Sequence, residues 1–277
     1  MGSGVMNSLT KDYSEKRARE ILNIYVTEIT KEYGAYIEAI LVVGSLTNGS
    51  YVEGPGRDVD QITILKDEVG EAIRERMFNI ITEIEKAFNN DIPIARTVYF
   101  ESDFGRPLKT NMELKVKNKH LIEIVTELKR MHESGIVLYG KNIISELPIP
   151  TLEESIRFDE LAREWDRQAL KKNPQIEKTL KNLPIRIAVQ IIITKAFKHY
   201  YYATGKTCSN KHEVANKIAK EVPEYMFLDT LKLAAEFKIN PNKEFSEDKV
   251  ERLIKGCQDM LEWQGGKKVY EVPKINF

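Results

Sequence analysis

The chain has 277 residues, 42% of them hydrophobic and 30% charged, and its 42 basic side chains balance its 42 acidic ones. The length is sufficient for two domains of ordinary size, and the zero net charge argues against a general electrostatic grip on nucleic acid. Two cysteines are too few for a disulfide framework or a zinc ligand set. With no apolar run of membrane-spanning length and no signal segment, the composition predicts a cytoplasmic protein with no membrane partner.

The first half of the chain alternates helical and strand patterns. Residues 1–6 resemble a sequence added by cloning, so we begin the fold at residue 7. Apolar residues at helical spacing predict helices over residues 14–33, 69–89 and 119–133. Short apolar runs predict strands over residues 37–43, 59–65, 92–100, 112–116 and 136–139. This alternation is typical of an α/β sheet domain, which we assign to residues 7–148.

The pattern changes after Pro150. Thr151 and Glu154 have the spacing of a capping box that opens a helix. Pro184 suits the first turn of a long helix that stops at Gly205. Further helices are predicted over residues 210–221, 225–238 and 246–263. No strand pattern intervenes, so residues 149–277 are predicted to form an all-α helical bundle domain.

The most informative pattern lies between residues 40 and 65. Gly44 and Ser45 follow one apolar run, and Asp58 and Asp60 open the next. Side chains two apart on a strand share a face, and adjacent carboxylates are costly unless a cation joins them. Mg²⁺ prefers one or two carboxylates together with phosphate oxygens. Since Gly44 leaves room for a phosphate and Ser45 can bind it, the pattern predicts phosphate-binding and metal-binding groups on either side of a loop.

The GlySer pair followed by Asp58-Val59-Asp60 resembles the signature of the nucleotidyltransferase superfamily that includes DNA polymerase beta. Within it, the chain is most similar to aminoglycoside nucleotidyltransferases of the streptomycin/spectinomycin adenylyltransferase kind. Weaker similarities to those enzymes lie at residues 106–114, 137–140, 201–206 and 209–215. The resemblance covers roughly residues 16–265. It implies a nucleotidyltransferase-type mixed sheet domain followed by a helical substrate-binding domain.

The resemblance also implies an activity. The expected reaction is Mg²⁺-dependent transfer of a nucleoside monophosphate, AMP from ATP, to a hydroxyl of a small molecule, with an aminoglycoside-like acceptor as one candidate. Asp58 and Asp60 would hold the metal, as one ion or two about 4 Å apart. Gly44 and Ser45 would bind the β- and γ-phosphates of the nucleoside triphosphate.

One catalytic group departs from the family pattern. Relatives supply a third carboxylate from a neighbouring strand, as a metal ligand or as the base for the attacking hydroxyl. Here Arg96 or Thr97 occupies that place. Glu101 is the first acid further along the same strand, so we assign it as the catalytic base, with Asp103 as the reserve.

The helical half is expected to bind the acceptor. A cationic acceptor requires acidic side chains, and Glu213 lies in the segment similar to the acceptor region of the relatives. Two other functions stay open. The chain could modify a protein or an RNA, or it could be a nucleotide-binding regulatory or interaction protein that keeps the fold without turnover.

Overall fold

The computed structural model of the protein describes residues 11–54, 57–110, 113–114, 124–158, 161, 185–208, 210, 212–240 and 244–262. These residues form two compact units. The first unit takes the described residues up to 120 and those from 135 to 147. The second unit takes the described residues from 121 to 134 and from 148 onward. The helix before residue 135 therefore belongs to the second unit, whereas the sequence predicts it within the first domain, residues 7–148.

The first unit contains a mixed sheet and its covering helices. Its helices are α1 (Glu15–Tyr33), the one-turn α2 (Ser45–Asn48) and α3 (Glu71–Ala87). Its strands are β1 (Ile37–Val42), β2 (Gln61–Leu65), β3 (Val98–Phe100) and β4 (Ile136–Gly140). Helix α1 begins where the sequence predicts, because the Ser14 hydroxyl accepts a hydrogen bond from the Arg17 amide at 3.1 Å.

The strands are ordered β3-β2-β1-β4. Strand β1 pairs antiparallel with β2 and with β4, whereas β2 pairs parallel with β3. In the antiparallel pair Val42 lies opposite Gln61, and in the parallel pair Leu65 lies beside Phe100. This arrangement confirms the predicted mixed sheet.

Helices α1 and α3 cover the same face of the sheet, where they share one hydrophobic core. The buried face of α1 contributes Ile21 and Tyr25, and α3 contributes Met77 and Ile81. The hydroxyl of Tyr25 lies 2.6 Å from that of Thr63 on β2. Odd-numbered residues of β2 therefore face the helices, and even-numbered residues face the opposite side. We call these the helix face and the opposite face of the sheet.

The described part of the second unit is helical. Its helices are α4 (Ile124–Ser134), α5 (Ile185–Thr204), α6 (Val214–Glu221), α7 (Leu228–Ile239) and α8 (Glu247–Glu262). Helix α5 packs with the three that follow it around a common core. The predicted end of α5 is confirmed, since Gly205 adopts a φ of 68° and its amide donates to the Tyr201 carbonyl at 2.8 Å.

Residues 152–158 are also helical, and they begin with the predicted capping box. The amide of Thr151 donates to Glu154 Oε2 at 2.8 Å, and the Glu154 amide donates to Thr151 Oγ1 at 3.1 Å. No helix in the described ranges has the length and apolarity needed to cross a membrane.

Two strand predictions differ from the structure. The strand expected over residues 92–100 is regular only at its end, and its first part makes one parallel bridge between Ile94 and Val59. Most of the strand expected over residues 112–116 lies outside the described residues, and Glu113 and Leu114 form a turn. Residues 1–6, predicted to lie outside the fold, are not among the residues that the structure describes.

Candidate nucleotide-binding site

The GlySer turn directly follows β1. Gly44 has φ 77° and ψ −140°, a conformation that side-chain-bearing residues rarely adopt. Its carbonyl accepts hydrogen bonds from the amides of Thr47 and Asn48, both at 3.1 Å, and from the Thr47 hydroxyl at 2.9 Å. The chain therefore turns sharply at Gly44, and α2 starts at Ser45 beside the end of the sheet.

The two aspartates lie next to this turn. The amide of Val43 donates to the carbonyl of Asp60 at 3.0 Å, which extends the pairing of β1 and β2 to the edge of the GlySer turn. Val59 is fully buried, and its amide and carbonyl bond to residues 93 and 95 at 2.8 and 2.9 Å. Asp58 is exposed and Asp60 is partly exposed. The alternation places both carboxylates away from the buried Val59 side chain, towards the opposite face of the sheet.

This donor set fits a magnesium ion bound together with a polyphosphate. Two carboxylates from one short segment leave most coordination positions of Mg²⁺ to phosphate oxygens and water. Within the described ranges, no three His, Cys, Asp or Glu side chains group together as a ready-made metal cage. Asp58 and Asp60 therefore suit a metal that is bound together with a nucleotide.

Arg96 and Thr97 point to opposite faces of the sheet. Arg96 points to the helix face, because its guanidinium pairs with Glu85 of α3 at 2.5 Å. Thr97 is the neighbouring residue, so its side chain points to the opposite face, as that of Asp60 does. It is buried, with 1% of its surface exposed. Of the two residues predicted to occupy the place of a third carboxylate, Thr97 therefore lies on the face of Asp60 and Arg96 does not.

The assignment of Glu101 as the catalytic base is corrected by the register of the sheet. Leu65 pairs with Phe100, so Glu101 lies level with Lys66, six residues beyond Asp60 on a parallel neighbour. At roughly 3.3 Å per residue, this is a separation of about 20 Å along the strands. Alternation along the strand predicts only the face of Glu101, whereas the register places it at the other end of the sheet from the aspartates.

The surroundings of Glu101 support this correction. Burial raises its pKa, and the carboxylates of Glu38, Asp67 and Glu68 raise it further. The reserve candidate, Asp103, lies in the same region, where it accepts the Phe100 amide at 2.8 Å. Burial raises the pKa of Asp103, against the effect of that amide. Neither acid reaches the aspartate pair.

Two side chains without a sequence-based prediction connect residues 13–19 with the loop between the GlySer turn and the aspartates: Arg19 from α1, and Tyr51 from the loop itself. Arg19 Nη2 donates to the carbonyl of Leu46 in α2 at 2.9 Å. Tyr51 donates its hydroxyl to the Tyr13 carbonyl at 3.1 Å, and burial raises the pKa of Tyr51 to about 12. The sequence carried a weak signal for Arg19, since Glu15 four residues earlier is suited to orient it.

Glu213 lies in the second unit, at the residue before α6. Its carboxylate is 54% exposed, accepts a hydrogen bond from Asn210 Nδ2 at 3.1 Å and lies 3.5 Å from Lys217 Nζ. Aromatic side chains near the end of α5 pack inside the same unit. Tyr200 and Tyr202 are buried, and His199 Nδ1 lies 2.7 Å from the Tyr225 hydroxyl inside the unit.

Among the comparisons with known proteins, the one with solved structures found a similar fold. No protein-family model and no curated protein matches the sequence. The mixed sheet and the helical second unit match the fold of a solved structure, a nucleotidyltransferase fold with a C-terminal helical domain. Among solved structures, the chain is similar to spectinomycin adenyltransferase AAD(9) from Enterococcus faecialis, determined with ATP and spectinomycin. The TM-score is 0.57 at 18% sequence identity, and the match covers 88% of this chain and 99% of that one.

Proposed function

We propose that the protein is a nucleotidyltransferase that transfers AMP from ATP, with Mg²⁺, to a hydroxyl of a small molecule. The observation that carries this proposal is the hydrogen bond from Val43 to Asp60. It brings a glycine turn suited to phosphate and a carboxylate pair suited to Mg²⁺ to one end of the sheet.

Each residue has a defined task in this reaction. The backbone and hydroxyl of the Gly44-Ser45 turn bind the β- and γ-phosphates. Asp58 and Asp60 hold Mg²⁺, which neutralises charge on the triphosphate when bound. The acceptor hydroxyl oxygen attacks the α-phosphorus and its proton passes to solvent water, the bond from the α-phosphorus to the oxygen it shares with the β-phosphate breaks, and pyrophosphate leaves. Positioning and electrostatic stabilisation supply most of the rate of such a transfer.

The acceptor is proposed to be a small amino-bearing polyol, with aminoglycosides as the first class to test. The similar structure was determined with spectinomycin, and Glu213 presents an exposed carboxylate in the helical unit. Modification of such an antibiotic would confer resistance, and it would take place in the cytoplasm, where ATP is available.

One observation favours a second candidate, a nucleotide-binding protein without turnover. Thr97 lies on the same face as Asp60, where the resemblance to nucleotidyltransferases leads us to expect a third carboxylate, and a threonine does not act as a general base near neutral pH. A protein of this kind would keep Mg²⁺-ATP binding and lose AMP transfer.

Release of labelled pyrophosphate separates the two candidates. The protein would be incubated with γ-labelled ATP, Mg²⁺ and a panel of aminoglycosides and aminocyclitols, and the adenylylated product identified by mass. Acceptor-dependent release that EDTA abolishes supports the enzyme. Saturable Mg²⁺-ATP binding without release, across the whole panel, supports the binding protein. Absence of Mg²⁺-ATP binding would overturn both.

A further inference from the structure

The first turns of α1 hold the loop that joins β1 to β2. This loop begins at Gly44 and ends at Asp60, so it carries all of the candidate phosphate and metal ligands. Three hydrogen bonds connect the two segments: Arg19 to the Leu46 carbonyl at 2.9 Å, Tyr51 to the Tyr13 carbonyl at 3.1 Å, and the Glu15 amide to Glu53 Oε1 at 3.4 Å. We call residues 13–19 the α1 brace.

Arg19 is the central contact of the α1 brace. Its guanidinium is oriented by Glu15, whose Oε1 accepts from Nε at 2.8 Å and from Nη2 at 2.6 Å. A helix of one turn cannot satisfy its own last carbonyls, and Arg19 donates to one of them at Leu46. Leu46 is 5% exposed, so a side chain anchored in the core and a charged hydrogen bond together fix the turn that follows Gly44.

Tyr51 fixes the middle of the loop. Its ring packs, as that of Tyr13 does, against the core of the first unit. Arg57 and Asp58 lie close enough to Tyr51 for their charges to shift the pKa of its phenol. The loop is therefore tethered to residues 13–19 at Leu46, Tyr51 and Glu53, so the part that follows the GlySer turn is held without a nucleotide.

We propose that Arg19 is a positioning residue of the nucleotide site, acting through the Leu46 carbonyl to hold the GlySer turn ready for a triphosphate. The identity of the ligand, a Mg²⁺-nucleoside triphosphate, rests on the proposed function. The positioning role of Arg19 rests on the contacts of the α1 brace. A preorganised turn binds its ligand more tightly because less ordering is needed on binding.

Two measurements on Arg19→Gln test this proposal. Mg²⁺-ATP affinity is measured by calorimetry, and amide hydrogen exchange of residues 45–54 is measured without nucleotide. The variant should bind Mg²⁺-ATP about tenfold more weakly, as expected for losing a hydrogen bond from a charged group, and these amides should exchange faster. In turnover, KM for ATP should rise more than kcat falls. Arg19→Lys should recover part of both effects.

Arg252→Gln is the matched control, because Arg252 pairs with Asp248 four residues away on α8, on an exposed helix surface. It should change neither measurement. The proposal would be overturned if Arg19→Gln bound Mg²⁺-ATP and exchanged its amides as the wild-type protein does. It would also be overturned if Arg19→Gln and Arg252→Gln lost the same amount of affinity for Mg²⁺-ATP. If the wild-type protein binds no Mg²⁺-ATP, the proposed function fails by itself. In that case amide hydrogen exchange still tests the role of the α1 brace. Faster exchange of residues 45–54 in Arg19→Gln than in wild type supports that role, and unchanged exchange overturns it.

Discussion

The amide of Val43 and the carbonyl of Asp60 form a hydrogen bond of 3.0 Å at the end of the β1–β2 pair. One residue after Val43 the chain turns at Gly44, with φ 77°. One residue before Asp60, Val59 is fully buried. The local backbone therefore determines both features of the candidate site, the turn on one strand and the exposed carboxylates on the other.

The first prediction concerns Asp58. Asp58→Asn removes one charge from the metal-binding pair, while the side chain is exposed and its size is kept, so the fold should persist. We expect Mg²⁺-dependent ATP binding and pyrophosphate release to be lost. Asp67→Asn is the control, because Asp67 lies at the other end of the sheet, where its carboxylate accepts the Ser102 amide. Full Mg²⁺-dependent binding and turnover in Asp58→Asn would refute the metal site.

Much of the fold follows from local sequence signals. The helix at residues 14–33, the capping box at Thr151 and the stop at Gly205 each depend on residues within one or two turns, and the structure has all three. The GlySer turn was equally predictable, since few residues other than glycine adopt the conformation of Gly44. Such signals need no knowledge of distant contacts.

The position of Glu101 depended on information that a single strand does not contain. Alternation along residues 95–101 gives the face of each side chain, but not its level relative to Asp60. That level is set by the pairing of Leu65 with Phe100, which is a contact between segments 35 residues apart. The role of Arg96 was hidden for the same reason, because its partner Glu85 lies on α3.

The second prediction follows from this register. Glu101→Gln should leave AMP transfer unchanged, whereas a general base contributes a factor of roughly 10² to 10⁴ to a rate. Its carboxylate lies about 20 Å along the strands from the aspartates, among the acids Glu38, Asp67 and Glu68. The measurement is kcat at saturating ATP and acceptor. A hundredfold fall in kcat with wild-type stability would show that the register argument is wrong.

The third prediction concerns stability. Glu85 is 7% exposed; it accepts the Ile94 amide at 2.9 Å and pairs with Arg96. Glu85→Ala leaves that buried amide without its acceptor, so the free energy of unfolding should fall by about 1–3 kcal/mol in chemical denaturation. Glu83→Ala on the same helix removes an exposed carboxylate whose pair with Arg76 has 3.6 Å between its atoms. It should cost less than about 1 kcal/mol. Equal losses in both variants would contradict the role of Glu85.

The fourth prediction concerns the acceptor. Glu213→Gln removes an exposed negative charge from the helical unit. Affinity for an amino-bearing acceptor should fall, whereas affinity for Mg²⁺-ATP should not change, because the candidate nucleotide ligands lie in the first unit. Glu224→Gln, in the turn after α6, is the control. Parallel loss of ATP and acceptor binding in Glu213→Gln would argue against a role confined to the acceptor.

The fifth prediction is a pH dependence at Tyr51. Burial raises the pKa of Tyr51 from about 10 to about 12 in the folded protein, so the phenol ionises first in the unfolded state. The unfolded state then binds fewer protons above pH 10, and the free energy of unfolding falls as pH rises from there towards 12. Tyr51→Phe loses the hydrogen bond to the Tyr13 carbonyl, a cost of about 1 kcal/mol at pH 8, but it lacks this ionisation. The stability difference between wild type and Tyr51→Phe should therefore shrink between pH 9.5 and about 11, measured by urea denaturation. A difference that stays constant over this range would show that the phenol is as accessible in the folded protein as in the unfolded chain.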